Sequence, residues 1–261
     1  MKPATVLITG ASSGIGAALA REAARAGHTL VLTARSETAL SALAAETGGA
    51  GRAQVIPCDL GEPGAAARLW AEVEARGLVI DVLVNNAGMG GGGAFQSADP
   101  ARLTAMVMLN VLALTELARL AVAPMVARGS GRILNVASTA AFQPGPTMAV
   151  YCATKAYVLS LSEAMADDLR GTGVSVTALC PGPTHTNFAT AADVEGNALF
   201  SGKMLPVMSA EAVARFGWQA AMAGRRVAIP GLVNRLLACS AGMTPRFVSN
   251  AVGRKLLAPG H

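Results

Sequence analysis

Apolar residues gather along this chain in short, nearly unbroken runs separated by longer stretches of helical period. The runs are TVLITG (5–10), TLVLTAR (29–35), AQVIPCDL (53–60), DVLVNNAG (81–88), RILNVAS (132–138), VSVTALCPG (174–182) and VAIPG (227–231). Each is rich in Val, Ile, Leu and Thr and too short for an ordinary helix, so each predicts a strand. Strict alternation with polar residues is missing, which predicts strands buried on both faces. The intervening Ala/Leu/Glu/Arg stretches carry helix boundary signals. Ser36 and Ser209 suit N-cap positions, Asp99-Pro100 and Thr244-Pro245 suit a cap followed by a first-turn proline, and Gly27 and Gly48 suit C-terminal stops. Repeated strand–helix alternation predicts an α/β fold: one doubly wound parallel sheet of about seven strands with helices on both faces. No internal repeat or linker divides the chain, so a single domain over 1–261 is expected.

Composition changes this picture at two points. Hydrophobic residues make up 52% and charged residues 14%, with a mean hydropathy of +0.44. That excludes a disordered chain and raises the question of a membrane. The longest apolar stretch, Leu109 to Met125, carries Glu116 and Arg119 and is expected to close at Pro124, so no spanning helix is expected. The N-terminal apolar run stops at Thr9-Gly10 without a cleavage pattern and reads as a first strand. Four scattered cysteines (58, 152, 180, 239) and three histidines (28, 185, 261) have no metal-ligand spacing. A reduced, cytoplasmic protein without a metal is the expectation. The net charge of +5 is uneven: six basic and no acidic residues lie between Arg225 and His261, leaving 15 basic against 16 acidic elsewhere. A near-neutral body speaks against a nucleic-acid surface.

The first run leads straight into TGASSGIG, with Gly10, Gly14 and Gly16 separated by Ser12, Ser13 and Ile15, and then into a helical AALAREAARAG. Glycines let the backbone approach a pyrophosphate, and the following helix offers free N–H groups and its positive dipole end. The spacing is T-G-x-x-x-G-x-G and departs from G-x-G-x-x-G, but strand before and helix after make this a Rossmann-type dinucleotide turn. The second strand ends Thr33-Ala34-Arg35, with no carboxylate until Glu37. A guanidinium there suits a ribose 2′-phosphate and a carboxylate would repel it, so NADP(H) is the expected cofactor.

Further along, Asp59-Leu60 follows the third strand, Asn85-Asn86-Ala87-Gly88 the fourth, and Ser138 the fifth, with Tyr151-x-x-x-Lys155 thirteen residues beyond Ser138. Pro181-Gly182 with Thr184 and Thr186 closes the sixth. With Asn110 and the glycine turn, these residues make the chain resemble the short-chain dehydrogenase/reductase family over most of its length. The resemblance implies NADP(H) bound by the glycine turn, Asp59, Leu60, Asn86, Ala87, Gly88 and Pro181 to Thr186. It implies catalysis by Ser138, Tyr151, Lys155 and Asn110, with Lys155 also holding the nicotinamide ribose and the Asn110 region supporting a water-linked proton relay. It also implies a homo-oligomer, dimer or tetramer.

The residues support a mechanism of their own. Tyr151 and Lys155 are four apart on a predicted helix and share a face. A phenol with a pKa near ~10 is a poor proton donor at neutral pH. A lysine charge about 4 Å away at an effective dielectric of ~20 supplies roughly 4 kcal/mol, enough to bring it towards ~7. Ser138, at a strand end, can hydrogen-bond a substrate oxygen. Tyr157 falls on the opposite side and reads as packing. His185 reads as a loop residue, Cys152 as a packing residue, and Asp167-Asp168 as a solvated helix face. The Gly90–Gly93 run fits either substrate approach or flexibility.

Three regions follow: a core over 1–186, a substrate lid over 187–207, and a basic C-terminal extension over 232–261. Phe188, Leu199, Phe200, Met204 and Leu205 make the lid apolar, as Phe142 and Met148 do the segment before Tyr151. A hydrophobic ketone or oxoacyl substrate is therefore expected, or else a lid that simply packs on the body. The extension, with a helix expected from Thr244-Pro245, fits packing on the body or a partner subunit, a membrane surface, or a cover over the substrate mouth. The expected activity is NADP(H)-dependent interconversion of a carbonyl and a secondary alcohol. A cofactor-sensing regulator without turnover is the alternative, marked by loss of the tyrosine or lysine, and both are present.

Overall fold

The structure, a computed structural model, describes residues 3–49, 51–186, 188, 192 and 207–244. All seven expected strands form, as β1 (Thr5–Thr9), β2 (Thr29–Thr33), β3 (Ala53–Val55), β4 (Val82–Asn85), β5 (Gly131–Val136), β6 (Val174–Leu179) and, after a two-strand ribbon of β7 (Thr184–His185) and β8 (Met208–Ser209), β9 (Val227–Ala228). Each ends earlier than its apolar run. The last residues of those runs leave the ladder and turn into the connections above the sheet.

The sheet order is β3-β2-β1-β4-β5-β6-β9, and every pair is parallel. Parallel neighbours require crossover helices, which cover both faces. Helices α1 (Gly14–Arg25), α2 (Glu37–Glu46) and α7 (Ala210–Met222) pack on one face through Leu19, Leu40, Val213 and Trp218, meeting Val6, Ile8, Leu30, Leu32 and Leu134. On the other face α3 (Ala65–Ala75), α5 (Leu114–Ala127) and the end of α6 (Ala149–Asp168) meet Leu7, Val31, Leu83, Ile133 and Val176. Burial of both sheet faces accounts for the unbroken apolar runs. Full burial of one such leucine stabilises by about 1.5–3 kcal/mol.

The capping signals hold where they are described. Ser36 accepts from the Ala39 N–H, Asp99 from Ala101 and Ser209 from Ala212. Thr244 instead follows the end of α8 (Leu232–Met243), and the expected start of a helix at Pro245 lies outside the described residues. Pro124 does not close its helix. α4 (Pro100–Val107), a π-helical turn (Met108–Ala113) and α5 run on continuously to Ala127, with Pro124 inside the helix and one i→i−4 bond forgone there. At 28 residues this is long and apolar enough to cross a membrane by length and composition. Its Leu117, Ala118, Ala121 and Met125 are nevertheless buried, Leu117, Ala121 and Met125 among the apolar residues on one face of the sheet. It is a core helix.

Buried beside β2, His28 accepts the Ala4 N–H on Nδ1 at 3.1 Å and packs its ring 5.5 Å from that of Trp218. Burial holds its pKa below the ordinary 6.5, and its Nε2 has no hydrogen-bond partner among the described residues. The unfolded chain therefore takes up a proton near pH 6.5 while the folded chain resists it. Stability should fall as the pH drops below that value. Thermal unfolding at pH 7.5 and pH 5.5 checks this: the wild type should lose melting temperature, and His28→Phe, which cannot titrate, should show a flatter dependence.

Candidate active site

Order reverses between β1 and β4, and the carboxyl ends of the strands open there onto one cleft of about 1020 Å³. This is where open α/β sheets bind ligands. Of the residues singled out from sequence, Gly10, Ser12, Ser13, Gly14, Ile15, Arg35, Asp59, Leu60, Asn86, Ala87, Gly88, Ser138, Tyr151, Lys155, Pro181, Gly182, Thr184 and Thr186 all line it. Gly16 and Asn110 do not; both build its wall from behind.

Gly10 and Gly14 take φ of 64° and 55°, the left-handed region that favours glycine. Gly16 is required for a different reason. A Cβ there would stand 2.2 Å from the Gly10 carbonyl oxygen and 2.4 Å from Asn86 Nδ2. Those two groups are bonded to each other: Asn86 Nδ2 donates to the Thr9 and Gly10 carbonyls at 2.9 and 3.1 Å. The Thr9 hydroxyl in turn accepts the backbone N–H of both Asn86 and Ala87 at 2.9 Å. Ser13, the N-cap of α1, makes no side-chain capping bond, so no capping side chain takes the first-turn N–H groups beside the cleft. That is the donor set a pyrophosphate needs, and the glycines leave room for it.

At the end of β2 the exposed Arg35 borders the cleft; among the described lining residues it and Lys155 are the cationic ones. Asp59 Oδ1 accepts the Gly61 N–H at 3.0 Å and so shapes its own turn. Leu60 is buried beneath it.

The catalytic candidates meet at the cleft floor. Ser138 follows β5; its hydroxyl accepts the Ala140 N–H at 3.1 Å, capping the turn Thr139–Phe142. Tyr151 and Lys155 lie in the first turns of α6 and are both buried. Lys155 Nζ donates to the Val136 carbonyl at 2.8 Å and sits 5.9 Å from the centre of the tyrosine ring. Spacing thus predicted the shared face, but the expected electrostatics need correction. Burial first raises the Tyr151 phenol above its ordinary value, and a hydrogen bond with Ser138 offsets part of that. Burial also lowers Lys155, to about 8. An apolar pocket penalises phenolate and ammonium alike, and this outweighs the pull expected from a nearby lysine.

Asn110 is 1% exposed and sits in the π-helical turn. Its Oδ1 accepts the Met89 N–H at 2.9 Å, and its Nδ2 donates to the Met89 carbonyl at 2.9 Å and to Thr154 Oγ1 at 3.1 Å. Thr154 Oγ1 donates on to the Tyr151 carbonyl at 2.8 Å. The side chain ties the β4 connection to α6 beneath the tyrosine and does not face the cleft. Gly88 permits this closeness, since a Cβ there would meet Asn110 Oδ1 at 3.2 Å and Lys155 Nζ at 3.5 Å.

Other readings divide. Burial pushes the Cys152 thiol up to about 11, in keeping with packing. His185 is exposed in β7 and is not among the lining residues. Tyr157 is 38% exposed and its hydroxyl meets that of Thr115 at 2.9 Å. Gly90 leaves room for the Phe188 ring, since a Cβ at Gly90 would lie 2.4 Å from it; that ring in turn is 5.3 Å from the Tyr151 ring. Phe142, Met148 and Phe188 line the cleft as expected, whereas Leu199, Phe200, Met204 and Leu205 lie outside the described residues. Three features escaped the sequence reading. One is the π-helical turn itself. Another is Thr147, whose φ of 67° is the one positive non-glycine value among the described residues, at a typical cost of about 1–3 kcal/mol four residues before Tyr151. The third is the helix α8 itself, whose signal was the recurrence of Leu at 232 and 236 and of Val233 and Leu237; it brings Asn234, Leu237, Ala238 and Ala241 to the cleft, in line with the extension's reading as a cover over the substrate mouth.

Fold and site together define a nicotinamide-dinucleotide oxidoreductase. The short chain dehydrogenase family model matches residues 4–195, and the chain belongs to that family. It is 38% identical over 179 residues to the ketoacyl reductase HetN of Nostoc sp., a match covering 68% of this chain and 62% of that protein. A short-chain dehydrogenase from Sphingobium yanoikuyae solved with NADPH superposes with a TM-score of 0.80 at 35% identity, covering 92% of this chain and 93% of that one. The bulky-bulky ketone specific alcohol dehydrogenase of Comamonas testosteroni gives a TM-score of 0.75 at 32% identity, covering 93% and 94%. The protein is thus an enzyme acting on CH–OH groups with NAD(P).

Because burial brings Lys155 to about 8, its positive charge is lost within a measurable range. Carbonyl reduction should fall as the pH rises through about 8, since the lysine neutralises while the tyrosine stays protonated. A steady-state profile that stays flat to pH 10 would contradict a role for that charge.

Proposed function

We propose that this protein is an NADPH-dependent carbonyl reductase for apolar ketones or oxoacyl compounds. The observation that carries the proposal is one continuous cleft with Arg35 at one end, Ser138, Tyr151 and Lys155 at its floor, and an apolar wall of Met89, Phe142, Met148, Phe188 and Leu237 at the other. The Sphingobium enzyme's NADPH, the Nostoc protein's description as a ketoacyl reductase and the Comamonas enzyme's bulky ketones support the same reading.

When bound, a nicotinamide dinucleotide would supply the hydride. The glycine turn and the start of α1 would hold its pyrophosphate, Arg35 would pair with a 2′-phosphate, and Pro181 to Thr186 would flank the nicotinamide. Ser138 donates its hydroxyl to the substrate oxygen and favours the charge that develops there. Tyr151 then gives its proton to that oxygen. Burial keeps the phenol protonated but makes it a weaker acid, so donation rests on the Ser138 hydroxyl and the Lys155 ammonium beside it, which favour the phenolate left behind. Asn110 acts through position, fixing the Met89 backbone and, through Thr154, the first turn of α6. The apolar wall excludes water from the reacting carbonyl and favours a chain or ring over a small sugar.

NADPH oxidation measured over ketones graded by chain length should rise with apolar size; activity on small polar sugars alone would overturn the substrate reading. Tyr151→Phe should lower turnover by about 10²–10⁴-fold while leaving NADPH affinity nearly unchanged, and wild-type turnover would remove the assigned role. Arg35→Asp should move the NADPH-to-NADH ratio of kcat/KM towards NADH by at least about tenfold, through lost pairing and added repulsion. An unchanged ratio counts against Arg35 as the phosphate contact.

A further inference from the structure

Helix α8 has two faces in different surroundings. On its inner side Asn234 is 2% exposed and donates to the Pro230 carbonyl at 2.9 Å. Its side chain lies so close to Gly182 that a Cβ there would meet it at 2.5 Å. The helix is therefore seated directly on the segment that flanks the nicotinamide end of the cleft. On its outer side Leu232, Val233, Leu236 and Leu237 are exposed by 73%, 44%, 62% and 49%. These are four of the ten large apolar side chains exposed among the described residues, and they form one strip at spacings of four. An exposed apolar strip of this kind marks an interaction surface.

Charge selects among occupants. Residues 232–261 contain Arg235, Arg246, Arg254 and Lys255 and no acidic residue, so four of the chain's five net positive charges belong to them. Arg235 is exposed on the same helix, flanking the apolar strip on its Leu232 side. A second copy packed face to face on α8 would bring Arg235 near its own like with no acidic residue of the helix to pair it. An anionic lipid surface takes both parts: apolar side chains enter the acyl boundary and arginines meet the headgroups.

We propose that the outer face of α8 docks on an anionic bilayer. Leu237, Ala238 and Ala241 border the cleft, so docking there sets its apolar mouth at the lipid boundary, where a sparingly soluble substrate would enter.

The experiment is co-sedimentation of the full chain with phosphatidylcholine vesicles, with and without phosphatidylglycerol, at low and high salt. The wild type should bind the anionic vesicles at least about tenfold more tightly than the neutral ones, and lose that preference in high salt. Leu232→Glu/Leu236→Glu should abolish binding, with melting temperature and NADPH oxidation on a water-soluble ketone unchanged, since neither residue lines the cleft. Arg235→Gln tests the charge with no acidic group added and should weaken anionic binding alone. Three results would overturn the proposal: no binding by the wild type, equal binding to neutral vesicles, or a double variant that binds normally. So would a double variant whose elution volume shows a lost dimer, because a second copy would then cover the strip. Sedimentation needs no turnover, so its outcome is independent of the reductase reading.

Discussion

The joint between β1 and β4 carries the rest of the site. One threonine hydroxyl and one asparagine amide close it: Thr9 receives the Asn86 and Ala87 N–H groups, and Asn86 returns two bonds to the Thr9 and Gly10 carbonyls. These groups fill the space that a side chain at Gly16 would need. β1 and β4 pair in the ladder as far as Ile8 and Val84, with no direct chain connection between them. Beyond that point these side-chain bonds hold the glycine turn and the Ala87–Gly88 segment in register. Gly16 never touches the cleft, yet its missing Cβ sets how closely α1 approaches the strands.

Below that joint, low polarity has opposite effects on two groups. Burial raises the tyrosine and lowers the lysine, and each shift favours the neutral form. A neutral phenol is the form that can give a proton. A lysine near 8 still carries its charge at neutral pH, though with less margin than an exposed one. The apolar wall that suits a hydrophobic substrate and the proton state of the donor are consequences of the same burial.

Much of this was legible in the residues. Strand positions, their burial on both faces and the caps at Ser36, Asp99 and Ser209 follow from apolar runs and short-range chemistry. That the glycine turn and the strand-end residues would line one cleft was legible because backbone approach demands glycine and strand ends fall at fixed places. Strand ends were overestimated because apolar character continues into the cleft walls, where no ladder exists. Pro124 misled because a proline inside a helix looks in sequence like one that ends it. The π-helical turn around Asn110 leaves no side-chain pattern, as it is a change of backbone register. The proton states of Tyr151 and Lys155 needed their depth, which spacing alone does not encode.

The two ends of the cleft differ in how the chain builds them. The phosphate end comes from strand ends and the turn after β1, where topology and close contact leave little freedom. The substrate end is assembled from later, separate pieces: the turn after β5, Met148 before α6, Phe188 against Gly90, and α8. None of these is bound by sheet register. Replacing an apolar side chain there alters volume and polarity but leaves the Thr9–Asn86 joint and the Tyr151–Lys155 helix in place. On the proposed function, cofactor placement and proton transfer would therefore be constrained by the sheet, whereas substrate choice would rest on side chains free to vary around it. One of these pieces, α8, also carries exposed leucines on its outer face. Change on α8 can thus act on what enters the cleft without altering what happens at its floor.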